Sequence, residues 1–115
     1  MSLPLKFYSP YVRAGDFVFC SGQLGIGENA ELLESFEAQF DQAMTNLSSV
    51  LAEAGCSMAN IVKATVFLVD AENFSRMNEI YVSYFPESLP ARSSVIVKEL
   101  PRGALVEIEA IAHIS

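Results

Sequence analysis

A periodic segment from Ser35 to Ala54 constrains the fold of this chain more than any other feature. Its apolar residues recur at steps of three and four, the spacing of one face of an α-helix. They are Phe36, Phe40, Ala43, Met44, Leu47, Val50, Leu51 and Ala54. Ser35 is placed to cap the first turn, and Gly55 is placed to end the helix in a left-handed conformation. The segment therefore predicts one long amphipathic helix that packs on a second layer.

The segments around this helix have the patterns of β-strands. Val12–Cys20 is typical of two strands joined by a Gly-Asp turn, and a further short strand is expected at Lys6–Tyr8. Ile61–Val69 is β-branched and almost wholly apolar, which favours a strand covered on both faces. Ser93–Glu99 and Leu105–Ile114 are predicted to be the last two strands.

A second helix is expected to be capped by Asp70 and to end before Pro86. Its predicted buried stripe consists of Phe74, Met77, Ile80 or Tyr81, and Tyr84–Phe85. The predicted order is then β-β-β-α-β-α-β-β, in one domain that spans residues 1–115. Right-handed crossovers send both helices to one face of the sheet. We therefore predict an α+β two-layer sandwich with a mixed sheet, whose other face is covered by another subunit.

The composition excludes several classes of function. Hydrophobic residues make up 51% of the 115 residues, and the formal net charge is −7. The basic residues are scattered and form no cluster, which disfavours nucleic acid as a partner. No apolar run approaches the roughly 18–20 residues of a membrane span. We expect a cytoplasmic protein with no membrane partner.

The cysteine and histidine content argues against a metal site. Cys20 and Cys56 show no metal-binding spacing, and His113 is the single histidine. Both cysteines are expected to be small buried residues in a reducing compartment. No metal and no cofactor is predicted.

Two carboxylates on the last strand are unusual, because their strand neighbours are apolar. Alternation along the strand puts Glu107 and Glu109 on one face. If the chain turns tightly at Leu100–Gly103, the last two strands form a hairpin in which Arg92 and Ser94 share that face. One interpretation is a cross-strand ion-pair ladder at a surface or interface. The other is an anion site, in which a guanidinium binds a carboxylate while a glutamate handles a proton or orients water.

Several sequence blocks resemble the signature of the RidA (YjgF) family. In the C-terminal part these are Pro90-Ala91-Arg92-Ser93-Ser94-Val95, Leu100-Pro101 and Val106-Glu107-Ile108-Glu109-Ala110-Ile111-Ala112. Upstream, Ser21-Gly22-Gln23, the strand Ile61–Leu68 and the residues Phe74, Met77, Asn78, Tyr81, Tyr84 and Phe85 follow in the family's order. The resemblance runs from about Tyr8 to the end of the chain.

The resemblance implies a chorismate-mutase-like α+β fold and a homotrimer with its sites in the clefts between subunits. It also implies an activity: hydrolysis of reactive 2-imino acids, such as 2-iminopropanoate and 2-iminobutanoate, to 2-oxo acids and ammonia, with no cofactor. By the same resemblance Arg92 binds the substrate carboxylate, and Glu107 positions and activates the attacking water. The backbone at Ser94 meets the imine nitrogen or the 2-oxo group, and Ser21 and Gly22 line the pocket.

Four further residues follow from the resemblance. Tyr8 is expected to be the pocket tyrosine, with Tyr11 as the alternative. Asn78 matches a family position and is expected to make a helix-to-loop hydrogen bond. Glu109 is an alternative acid, and its expected role is that of an interface partner. The family commonly has Cys at the position of Ser94. A serine there is compatible with the expected substrate contact if that contact is made through the backbone.

Two other functions stay open. The substituted Ser94 and the altered N-terminus are compatible with a trimer that binds 2-oxo acids or related carboxylates without turnover, or that serves as an interaction scaffold. RNA cleavage, known for some relatives, is disfavoured by the net charge of −7.

Overall fold

Five strands and two helices make up the protein, which is described over residues 7–114 in a computed structural model. The elements are β1 (Tyr11–Ala14), β2 (Phe17–Leu24), α1 (Phe36–Glu53), β3 (Ile61–Leu68), α2 (Phe74–Val82), β4 (Ala91–Ile96) and β5 (Val106–His113). Short 3-10 turns precede β3, α2 and β5. The strand expected at Lys6–Tyr8 is wrong where it can be compared: Phe7 and Tyr8 lie outside any strand, and Lys6 lies outside the described residues.

The strands form one mixed sheet in the order β1-β2-β5-β3-β4. β3 and β4 are parallel, and the other neighbouring pairs are antiparallel. The predicted hairpin between the last two strands is wrong, because β3 lies between β4 and β5. The chain leaves β4 at one edge, passes the end of β3 and enters the middle of the sheet as β5.

Both helices pack on the same face of this sheet, as predicted. The fully buried side chains of α1 (Phe40, Met44, Leu47 and Leu51) form one core cluster with the alternate residues Val106, Ile108, Ala110 and Ala112 of β5. The helix period of 3.6 and the strand period of two thus meet in a single apolar layer. The α+β two-layer prediction is confirmed.

The ends of the helices follow local chemistry. The Ser35 hydroxyl accepts a hydrogen bond of 3.1 Å from the Ala38 N–H, and Gly55 adopts a φ of +81°, so both predicted ends of α1 are confirmed. Asp70 caps the 3-10 turn in front of α2 rather than α2 itself. Phe74, predicted to be buried, is 40% exposed at the first turn of α2.

No helix or strand among residues 7–114 covers the second face of the sheet. Phe17 and Phe19 are 42% and 44% exposed, and Val12 and Val95 are also exposed. Strand pairing places Phe19 between Val12 and Ile111 on this face. We call it the open face. No helix within residues 7–114 is long and apolar enough to cross a bilayer.

Candidate active site

The sheet register puts Arg92 and Glu107 on opposite faces. Ala64 pairs with both Arg92 and Ala110, so the Arg92 side chain lies on the helix-covered face. Phe67 pairs with Glu107, which lies on the open face. The prediction that Arg92 and Ser94 share a face with the two glutamates is therefore wrong. The predicted hairpin pairs Arg92 with Ile111, whereas in the structure Arg92 is aligned with Ala110 across β3. A register change of one residue turns every side chain of a strand to the other face of the sheet.

The two residues are also well separated within one chain. Their partners on β3, Ala64 and Phe67, are three residues apart, and β3 itself lies between β4 and β5. Strand spacing of about 4.8 Å and a rise of about 3.3 Å per residue give roughly 14 Å between the Cα atoms of Arg92 and Glu107. A single chain therefore holds two half-sites rather than one site.

The first of these, the arginine half-site, consists of Arg92, Ser94, Asn78 and Tyr81. Arg92 Nη2 donates a hydrogen bond of 2.7 Å to Asn78 Oδ1, and Nη1 lies 3.6 Å from Met77 Sδ. The guanidinium carbon lies 4.8 Å from the centre of the Tyr81 ring. The predicted helix-to-loop role of Asn78 is wrong in its partner, because the amide oxygen accepts from a strand side chain.

The guanidinium keeps unused donors at the edge of a pocket. A guanidinium has five N–H groups, of which one donates to Asn78 and one points at Met77. Arg92 makes no ion pair with a carboxylate of residues 7–114. It lines a pocket of about 350 Å³ together with Tyr81, Val82, Leu89 and Pro90. The pocket therefore combines apolar walls with an uncompensated positive charge.

Two orphan hydroxyls belong to the same half-site. Among residues 7–114, the buried side-chain polar atoms without a hydrogen-bond partner are Tyr81 Oη and Ser94 Oγ. Burial raises the pKa of Tyr81, and Arg92 opposes that rise. Ser94 lies on β4, an edge strand whose outer side has no strand partner among residues 7–114.

The second half-site, the glutamate half-site, consists of Glu107, Gly22 and Ser21. The register of β2 shifts between Cys20 and Gln23, and Gly22 lies in this irregularity. A Cβ atom at Gly22 would collide with the Glu107 carboxylate, so a larger residue there would displace the Glu107 side chain from its present position. Burial, with a smaller contribution from the charge of Glu109, raises the pKa of Glu107.

The two candidate tyrosines lie in different surroundings. Ser21 donates from Oγ to the Ser9 carbonyl (2.6 Å) and from its backbone N–H to the Pro10 carbonyl (2.9 Å). The segment that carries Tyr8 therefore lies against the glutamate half-site, and the Tyr8 side chain is exposed. Tyr11 pairs with the buried Cys20, and its hydroxyl donates to the Glu53 carbonyl on the helix side.

Polar residues of α1 shape the glutamate half-site and were not predicted from the sequence. The buried Gln39 donates to the Leu33 carbonyl and accepts from the Leu105 N–H, both at 2.8 Å. Asn46 Nδ2 donates to the carbonyls of Leu24 and Ile26. These contacts fix the chain just after β2 and just before β5. The sequence did contain a sign of their role: Gln39 and Asn46 are seven residues apart and lie next to the apolar positions of the helix.

Among residues 7–114, neither the two cysteine thiols nor a cluster of metal-ligand side chains forms a second reactive centre. Burial raises the pKa of Cys20 to about 11, which makes its thiol a poor nucleophile. Cys56 is only partly buried. Among residues 7–114, no three His, Cys, Asp or Glu side chains come together as metal ligands.

Comparisons with known proteins identify relatives over the whole described chain. A family model described as Endoribonuclease L-PSP matches residues 2–114. The chain is 44% identical over 107 residues to the 2-iminobutanoate/2-iminopropanoate deaminase of Bos taurus, covering 91% of this chain and 78% of that protein. It is similar in structure to RidA from a Psychrobacter species (TM-score 0.93, 41% identity, 97% and 92% coverage). It is also similar to E. coli TdcF with bound serine (TM-score 0.92, 34% identity, 97% and 91% coverage).

Proposed function

This chain belongs to the RidA (YjgF) family, and we propose that it hydrolyses 2-imino acids, such as 2-iminopropanoate and 2-iminobutanoate, to 2-oxo acids and ammonia. Relatives with about 44% identity carry the name of this activity. The bound serine of the E. coli relative has the same carbon skeleton as 2-iminopropanoate, with a carboxylate and a nitrogen on C2. The observation that carries the proposal is the Arg92 guanidinium, which borders a pocket without a carboxylate partner.

Arg92 is the proposed carboxylate-binding group. A planar guanidinium with unused N–H groups can bind a carboxylate through two parallel hydrogen bonds. The Asn78 amide oxygen holds one edge of the guanidinium without neutralising it. Ser94, two residues further along the same strand face, is the proposed backbone contact for the imine nitrogen or the 2-oxo group.

Glu107 is the proposed proton-transfer group. It takes a proton from water while the water oxygen forms a bond to C2 of the imino acid, and it passes that proton to the nitrogen as the C=N double bond becomes single, which gives a carbinolamine. Glu107 then takes the proton of the new hydroxyl as the C2=O bond forms and gives it to the nitrogen, and ammonia leaves as the C2–N bond breaks. A carboxylate with a raised pKa is a stronger base than one with an ordinary pKa. Tyr8, Ser21 and Gly22 are the proposed lining of this half of the site, and Glu109 adds negative charge.

A complete site requires two chains in this proposal. Roughly 14 Å and the thickness of the sheet separate Arg92 from Glu107 in one chain, and a small imino acid cannot reach both. We propose a homotrimer in which Arg92 of one copy and Glu107 of another face the same cleft. The exposed Phe17 and Phe19 of the open face support an interface there. A cytoplasmic location is part of the proposal, in keeping with two unpaired cysteines.

The test is the release of 2-oxobutanoate from 2-iminobutanoate that a dehydratase generates in the same solution. We expect the purified protein to accelerate this release over buffer, and Arg92→Ala to lower kcat/KM by about 100-fold, as loss of a charge-assisted contact of roughly 3 kcal/mol requires. Arg76→Ala is the matched control, since Arg76 is an exposed arginine of α2 that pairs with Glu37 and Glu79. A protein that leaves the rate at the buffer value contradicts the proposal.

The second candidate is carboxylate binding without turnover. It is favoured by the separation of the half-sites, because the arginine half-site can bind a 2-oxo acid without Glu107. Calorimetry with 2-oxobutanoate, run beside the rate assay, separates the two functions. Binding without any rate enhancement supports the second.

RNA cleavage corresponds to the description of the family model. The net charge of −7 and the scattered basic residues do not favour it. A filter-binding assay with RNA at low salt is the direct check, and we expect no retention.

A further inference from the structure

We propose that Tyr81 is a positioning residue, whose ring holds the Arg92 guanidinium in the orientation that binds a carboxylate. The choice of ligand rests on the proposed function, whereas the contact between the two residues does not. The sequence predicts Tyr81 only as a possible core residue of the second helix.

One face of α2 forms the surroundings of the guanidinium. Phe74, Met77, Asn78 and Tyr81 are spaced i, i+3, i+4 and i+7, so they lie along one stripe of the helix. Each of them contacts Arg92: the ring centres of Tyr81 and Phe74 lie 4.8 and 5.9 Å from the guanidinium carbon, and the other two meet its nitrogens. The exposure of Phe74, unexpected for a core residue, is explained by this position beside a charge.

The core holds the Tyr81 ring in place. Tyr81 is 2% exposed, and its ring packs on Phe85 at a tilt, with 4.8 Å between centres and 45° between planes. A ring held by the core therefore contacts the cation. The long side chain of arginine can adopt many rotamers, and a rigid support reduces the rotamer freedom that is lost when a carboxylate binds.

The ring, and not the hydroxyl, does this in the structure. Tyr81 Oη is buried and has no hydrogen-bond partner among residues 7–114. The contact with Arg92 is a cation–π contact with the ring face, which phenylalanine also provides. Phenylalanine at position 81 is therefore expected to preserve the function, and leucine to lose it.

The experiment compares Tyr81→Leu and Tyr81→Phe with the matched control Phe40→Leu. Phe40 is a buried aromatic residue of α1 in the same core cluster and its ring pairs with Phe36, so its replacement lowers core packing without removing the cation–π contact. Three quantities are measured: the Kd of 2-oxobutanoate by calorimetry, KM and kcat with 2-iminobutanoate, and the NMR resonance of the Arg92 Nε–H.

We expect Tyr81→Leu to raise Kd and KM about tenfold, equivalent to roughly 1.4 kcal/mol, which is in the range of a partly desolvated cation–π contact. kcat should change by less than about threefold, because a support that acts equally on bound substrate and transition state affects KM. Tyr81→Phe should keep the wild-type Kd, and Phe40→Leu should keep it despite a lower Tm. Equal Kd values for wild type and Tyr81→Leu, or an equal rise in Phe40→Leu, would overturn the inference.

The NMR measurement separates this inference from the proposed function. A guanidinium over an aromatic ring has an upfield-shifted Nε–H that exchanges slowly with solvent. If the wild type neither binds 2-oxobutanoate nor hydrolyses the imine, the proposed function fails. The positioning role then stands only if the Arg92 Nε–H loses its shift and protection in Tyr81→Leu and keeps both in Tyr81→Phe. An unchanged resonance in Tyr81→Leu refutes it.

Discussion

Arg92 and Glu107 are half-buried ionisable residues, and neither forms an ion pair within residues 7–114. Burying a charge without a partner costs free energy, which the fold partly offsets by other means. Arg92 has an amide oxygen and two aromatic rings around it. Glu107 has no comparable contacts among residues 7–114, and burial raises its pKa. Such uncompensated groups are a common mark of functional sites.

The raised pKa of Glu107 predicts how activity depends on pH. A base must be ionised, so kcat/KM should fall as pH drops through this pKa. The charge of Glu109 on the same face disfavours ionisation of Glu107 and is the smaller cause of the rise, after burial. Glu109→Gln removes that repulsion and lowers the pKa of Glu107. The acid limb of the pH profile should therefore move to lower pH.

Glu79→Gln is the control for that shift, since Glu79 is an exposed carboxylate of α2 paired with Arg76. Its acid limb should coincide with that of the wild type. A limb that stays in place in Glu109→Gln, or that moves to higher pH, contradicts the role of Glu107 as the base.

At the scale of elements, α1 both builds the core and fixes the loops of the glutamate half-site. Gln39 satisfies the Leu105 N–H and the Leu33 carbonyl in the interior. Gly25 leaves room for the close approach, because a Cβ there would collide with the backbone of Gln39. One helix therefore sets the spacing between the end of β2 and the start of β5.

Gln39→Ala should lower the free energy of unfolding by about 3 kcal/mol, because it leaves two buried backbone groups unpaired. Urea denaturation at fixed protein concentration measures this loss. Gln42→Ala is the control: Gln42 lies one turn away and bonds only to the Asn46 side chain, so we expect a loss below about 1 kcal/mol. Equal losses in the two variants would show that the Gln39 bridge contributes little.

Elements with local determinants were predicted well from the sequence. The limits of α1 depend on Ser35 and Gly55, whose cap and φ arise from neighbouring residues. Phe74 was predicted to be buried but is exposed. A helical period shows which residues lie on one stripe of the helix, but it does not show which of them contact a charged residue of a strand. The strand at Lys6–Tyr8 was wrong for Phe7 and Tyr8, because pairing with a neighbouring strand, absent there, is what makes a strand.

At the scale of the whole molecule, the open face and the divided site lead to the same conclusion. No element among residues 7–114 covers the apolar side chains of the open face. Arg92 and Glu107 of one chain lie too far apart to contact the same small molecule. A second copy of the chain meets both needs, and the homotrimer is the assembly we propose. Its mass in solution should be about three times the 12.6 kDa of one chain.

Mixing two impaired variants tests the shared site. Arg92→Ala and Glu107→Gln are each expected to keep only a small fraction of the wild-type activity alone. After joint refolding in equal amounts, a site is intact when an Arg92-bearing copy meets a Glu107-bearing copy. Random assembly then restores about a quarter of the wild-type activity.

The control for this experiment mixes the two variants after each has been refolded separately, where no exchange has occurred and no activity should return. Joint refolding that also yields no activity, from assemblies of trimeric mass, would place both residues in the same chain's site and contradict the division described above.

The sequence by itself determined the layers and the core, because periodicity and capping act over a few residues. Only the tertiary structure decided where the side chains of Arg92 and Glu107 point. The insertion of β3 between β4 and β5 shifts the alignment of Arg92 by one residue, from Ile111 to Ala110. Because side chains alternate along a strand, that single step carries the guanidinium to the other face of the sheet.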